Sequence, residues 1–111
     1  MISSCSIIVR KPLSIEGSTL AIRAGWAMLT NGGMDIKMII MGDGLYGLLG
    51  KSGYTRNMYE RYLGENGEVY LVEEDMEARG LTKDLFPDGV EMISQSKIPG
   101  LIEETESVMT F

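Results

Sequence analysis

Histidine is absent from the 111 residues. That removes the usual acid/base group near neutral pH and the commonest metal ligand, so a Ser-His-Asp triad and a histidine-bearing zinc site are excluded. There is one cysteine, Cys5, so no internal disulfide can form and a disulfide-stapled secreted scaffold is excluded. Positive charge is scarce: 10 Lys and Arg stand against 16 Asp and Glu, a formal net charge of -6. A general nucleic-acid binder shows the opposite balance, so direct nucleic-acid binding is not expected. Long apolar runs are missing too. The longest strongly apolar one, Met38 to Met41, is far below the ~20 residues of a membrane helix. The N-terminus lacks a basic start followed by a long apolar stretch, so a cytoplasmic protein with no membrane partner is the expectation. No cofactor and no metal site are expected.

What is present is globular. Apolar residues make up 44% and charged residues 23%, which argues against wholesale disorder. The length fits one domain over residues 1–111, with a core modest enough that association would add useful stability.

Strand-like and helix-like segments alternate. Ser6 to Val9 is short and rich in β-branched residues, and reads as a first strand. From Glu16 to Thr30, Leu20, Ala24, Ala27 and Met28 form one apolar row at helical spacing, and Ile22, Trp26 and Leu29 a second. Asn31-Gly32-Gly33 stops this helix. Ile36 to Met41 is a near-continuous apolar run, broken by Lys37 alone, the mark of a strand buried on both faces of a parallel sheet. Leu45 to Leu49 reads as a short helix, Thr55 to Leu63 as a longer one and Val69 to Val72 as a third strand. Asp75 to Arg79 reads as a helix with acids at its start and Gly80 at its end. Val90 to Ile93 is a fourth strand, Ser96 to Ile102 a helix with Pro99 in its first turn, and Val108 to Phe111 a last strand. The pattern predicts a single α/β domain with about five mainly parallel strands, covered on both faces.

In such a sheet, ligands bind beyond the carboxyl ends of the strands. Gly42-Asp43-Gly44 offers a tight backbone and a carboxylate there, although a strand-to-helix turn capped by Asp43 explains it as well. Lys11 and Lys97 follow strands and are candidate anion contacts. Glu73-Glu74-Asp75 has the carboxylates for acid/base work or a hard cation, but the same run at a helix start favours the helix dipole. Glu73 is kept as a candidate ligand residue. Cys5 is the strong nucleophile, and a weak catalytic candidate. An exposed, stabilised thiolate there would carry persulfide sulfur, whereas a lone cysteine beside an apolar strand is ordinarily a small core residue. The helix Glu16 to Thr30 is apolar nearly all round. Either Ile22 and Trp26 face another subunit, or the loop after Gly50 covers them. Tyr54, Tyr59 and Tyr62 are either an aromatic interface or half-buried helix residues.

Two stretches, MIIMGDGLYGLL (38–49) and VYLVEEDMEARGL (69–81), resemble the DsrE/DsrF-like family of sulfur-relay proteins, which includes the TusB, TusC and TusD types. The tail, Ser107 to Phe111, is similar to the closing strand of the DsrF or TusC branch. The resemblance implies a three-layer flavodoxin-like subunit that forms homo- or hetero-oligomers with paralogues. It also implies a sulfur-donor protein as partner, in pathways that serve tRNA thiolation or sulfur oxidation. It places a sulfur-carrying cysteine at the end of the third strand, eight residues before the Gly of the Arg79-Gly80 pair. That position is Val72 here, and Cys5 does not match it. The resemblance therefore leaves a non-catalytic partner subunit, a homo-oligomeric ligand-binding relative, or a chain that uses Cys5 differently.

Overall fold

The computed structural model describes residues 4–10, 16–30, 33–49 and 54–111. Among these residues five strands form one sheet: β1 (Ser4–Val9), β2 (Asp35–Ile40), β3 (Glu68–Val72), β4 (Glu91–Ile93) and β5 (Ser107–Thr110). Every pairing is parallel, so the expected mainly parallel sheet is wholly so. Among the described residues four α-helices accompany it: α1 (Glu16–Thr30), α2 (Tyr54–Gly64), α3 (Glu73–Ala78) and α4 (Ile98–Glu103).

Alternation along each strand sorts the side chains between two faces. Cys5, Ile7 and Val9 of β1, Ile36, Met38 and Ile40 of β2, and Val69 and Leu71 of β3 join the larger core cluster. Ile22 of α1, and Met58, Tyr59 and Tyr62 of α2, pack into that same cluster. Ile39 and Val72 point the other way and pack with Ile98 of α4. The unalternated run at 36–41 is thus a central strand with apolar layers on both sides.

The strand order is β4-β3-β2-β1-β5. The first three crossovers step in one direction, and the last returns past β1 to the far edge. With right-handed crossovers, that reversal puts the β4-to-β5 helix on the opposite face. This is the second layer of helix in the expected three-layer arrangement. The switch in winding direction falls between β1 and β5. There Phe111 N–H donates to Ile8 O (2.8 Å) and Arg10 N–H donates to Phe111 O (2.9 Å).

Three local expectations are corrected. The segment read as a helix from Leu45 to Leu49 is a 3₁₀ helix, Gly42–Leu48. Helix α3 begins at Glu73, two residues earlier than expected, because Val72 already ends the strand. The third concerns the interface residues. Ile22 and Tyr62 are fully buried within the chain and Tyr59 nearly so, which leaves no surface on them for another subunit. Trp26 is half-buried and packs against the same core. Helix α1 is apolar all round because the sheet lies under it and α2 beside it. The loop after Gly50 lies outside the described residues. Tyr62 is fixed further by its hydroxyl, which lies 3.0 Å from Ile36 O and 3.1 Å from Glu68 O. Burial pushes the hydroxyls of Tyr59 and Tyr62 well above the usual tyrosine range, so both stay neutral.

Candidate functional site

The carboxyl ends of β1 to β4 lie along one rim of the sheet. Met41 N–H donates to Val9 O (3.0 Å), which brings the ends of β1 and β2 together. Gly42 then turns with φ +55°, in the left-handed region. At Gly44 a Cβ would stand 2.6 Å from Val9 O, so only glycine fits against β1. Gly44 thus admits the neighbouring strand, and Gly42 makes the turn.

The acidic run is divided among three tasks. Asp75 Oδ2 accepts a hydrogen bond from Gly42 N–H at 2.8 Å, tying the β2 turn to α3. Glu74 reaches the other way, accepting from Gln95 N–H (2.9 Å) and Ser94 Oγ (3.0 Å), and so holds the turn after β4. The Gln95 N–H bond is the main cause that holds the Glu74 carboxyl below its ordinary value. Successive residues of a helix point about 100° apart, which is why adjacent carboxylates diverge.

Arg79 completes the β2 side. Its Nε and Nη2 lie 3.3 and 3.1 Å from Asp43 Oδ1, and its Nη1 donates to Asp75 O at 3.1 Å. Asp43 therefore makes an ion pair rather than capping the 3₁₀ helix, whose cap has no side-chain hydrogen bond. The pairing of Asp75 with Arg79 does not stand out in the sequence. The available signal was their i,i+4 spacing on a helix.

Glu73 remains. It is half-buried and lines a hollow of about 280 Å³ with Tyr70, Glu91, Ser94 and Lys97. Of the expected ligand residues, the fold thus brings Glu73 and Lys97 to one hollow. It places Gly42, Asp43 and Gly44 at a separate, internally bonded turn. Lys11 lies outside the described residues. Tyr70 donates to Glu68 Oε1 (2.7 Å). Desolvation first, and then its bond to that carboxylate, raise its hydroxyl above the usual tyrosine range.

Val72 closes β3 at this rim. Its side chain has no exposed surface and packs against Ile39 and Ile98. Cys5 lies near the opposite end of the sheet, early in β1, and is 1% exposed. Its Sγ lies 3.6 Å from Ser6 O, and burial pushes the thiol above its ordinary value. A buried, protonated thiol is a poor nucleophile.

Fold and rim together define a small doubly wound α/β protein with its crevice at the strand ends and no exposed thiol there among the described residues. The model for DsrH-like protein matches residues 25–108, and the chain belongs to the DsrH-like family, whose model is of the TusB type. Comparison with curated proteins gives no significant match. Solved structures share the fold. The ychN protein of E. coli is 21% identical over the whole of both chains, with a TM-score of 0.82. A protein of unknown function from Methanobacterium thermoautotrophicum, MTH1491, is 14% identical over 96% of this chain and 97% of its own (TM-score 0.77). A third, BT1422 from Bacteroides thetaiotaomicron, is 10% identical over 98% and 95% (TM-score 0.80).

Proposed function

We propose that this chain is a non-catalytic subunit of a sulfur-relay assembly. The observation that carries the reading is Val72: a buried valine stands at the strand end where the resemblance implies the sulfur-carrying cysteine. Membership of the DsrH-like family supports the setting. The likeness of the tail to the DsrF or TusC branch remains part of this reading. Persulfide transfer moves a sulfane sulfur from a donor persulfide to an acceptor thiolate, and leaves the donor as a thiol. The acceptor must be exposed and deprotonated. Cys5 meets neither condition. The chain's role is then to hold or complete a cysteine-bearing paralogue, in a relay serving tRNA thiolation or sulfur oxidation.

The test is co-purification of the chain, expressed with a cysteine-bearing paralogue from the same genome. A stable complex that loads sulfur on the paralogue is the expected result. Separate elution at micromolar concentration would count against the role.

A second reading, a homo-oligomer that binds a small ligand at the strand ends, draws on the hollow between Glu73 and Lys97. It predicts a melting temperature raised by small anions or nucleotides and a loss of that effect in Lys97→Ala.

A further inference from the structure

At the opposite end of the sheet from the candidate site, an open groove of about 740 Å³ runs between the end of α2 and the segment entering β4. Part-buried Leu63 gives it apolar lining over the buried Phe86, and Leu85 stands exposed beside it in the chain. Glycines keep it open. A Cβ on Gly64 would meet nothing within 4 Å, and one on Gly89 would point at Leu63 Cδ2 (3.7 Å). The charged residues that line it, among those described, are all acids: Glu60, Asp84 and Asp88. Apolar lining with a rim of one charge is the make-up of a docking surface, and the rim selects the partner's sign. A second copy of this chain, with net charge -6, brings like charge to it.

We propose that this groove docks a segment of another protein that bears lysine or arginine side chains alternating with apolar ones. The apolar side chains pack on Leu63, above the buried Phe86, and the cations meet Asp84 and Asp88 at the rim. The groove takes no part in the strand-end site, so this holds whether or not the chain belongs to a sulfur relay.

The test is a titration of the ¹⁵N-labelled protein with an acetylated, amidated heptapeptide of alternating lysine and leucine, followed by amide chemical shifts. A peptide with glutamate for lysine is the control. Shifts at Leu63, Gly64, Asp84, Phe86 and Gly89 are expected with the lysine peptide. Two variants should weaken binding: Gly64→Phe, which fills the groove, and the double change Asp84→Asn with Asp88→Asn, which should cost about fivefold. Raising salt from about 0.05 to about 0.3 M should weaken it too. Shifts spread elsewhere, equal binding of the glutamate peptide, or indifference to the Asp84/Asp88 variant would overturn the proposal. Self-association abolished by Gly64→Phe would overturn it as well, by naming a second copy as the occupant.

Discussion

The two sides of the strand-end rim differ in what their polar groups are doing. On the β2 side, Asp43, Asp75, Arg79 and the Gly42 amide bond one another. Glycine at 44 lets the turn press onto β1. On the β4 side, Glu73 and Lys97 line a hollow that remains open. The turn with the sharper sequence signal is therefore a fastening, and the plainer pair faces the space. Glycine and aspartate together meet the needs of a tight turn as well as those of a ligand. Only the partners of the carboxylate decide between them.

The largest effect should come from Asp75. In Asp75→Ala the part-buried Gly42 N–H loses its charged acceptor and Arg79 loses a neighbour, at a cost of about 1.5–3 kcal/mol in chemical denaturation. A cost within ~0.5 kcal/mol would mean the β2 turn is not fastened from α3 and would dissolve the contrast between the sides.

Next is Asp43→Asn. The pair with Arg79 is exposed on the Asp43 side (62% for Asp43, 23% for Arg79), so about 0.2–1 kcal/mol is expected, shrinking as salt rises.

Glu74→Gln sharpens the other side through pH. The folded-state value of Glu74 is depressed, so its stabilising effect is present above the ordinary value of 4.5 and disappears as pH falls through the lower folded value. The melting temperatures of Glu74→Gln and the parent should differ most above about pH 5 and converge as pH falls below the lowered folded-state value. A difference independent of pH would show that the carboxylate's charge is not what holds the Gln95 turn.

The smallest change is expected at the hollow. Glu73→Gln and Lys97→Ala should each shift stability by less than about 0.5 kcal/mol, because neither side chain fastens an element. A large loss in either would make that side structural too.

Much of this was legible in the sequence. The apolar run at 36–41 announced a doubly covered parallel strand, and strand β3 begins one residue ahead of its expected start at Val69. The helix-to-strand alternation carried the element order, because most switches of period are bounded by glycine or a polar turn, the step from Val72 into α3 excepted. Three things were hidden. An all-round apolar helix shows that Ile22 and Trp26 have neighbours on both sides, but not whether the second neighbour is α2 of the same chain or another subunit. Three adjacent carboxylates look equivalent until the helix fans them towards β2, towards β4 and into the hollow. The stretch Gly42–Leu48 carries the marks of a helix but is wound as 3₁₀, with Gly44 pressed against β1.

The contrast between Val72 and Cys5 bears on function most directly. The valine lies at the rim but under Ile98, and the thiol lies in the core far from the rim. A thiol placed by Val72→Cys should therefore react slowly with an alkylating reagent in the native state, and reach normal rates only after unfolding. Fast native labelling would show that the rim lost a single side chain rather than its access.

The decisive measurement is the intact mass of the native protein before and after exposure to a small-molecule persulfide donor, with Cys5→Ser as control. The account predicts no gain of sulfur, with one thiol titratable after denaturation. A gain of whole sulfur atoms that vanishes in Cys5→Ser would contradict it, and would make this chain a sulfur carrier in its own right.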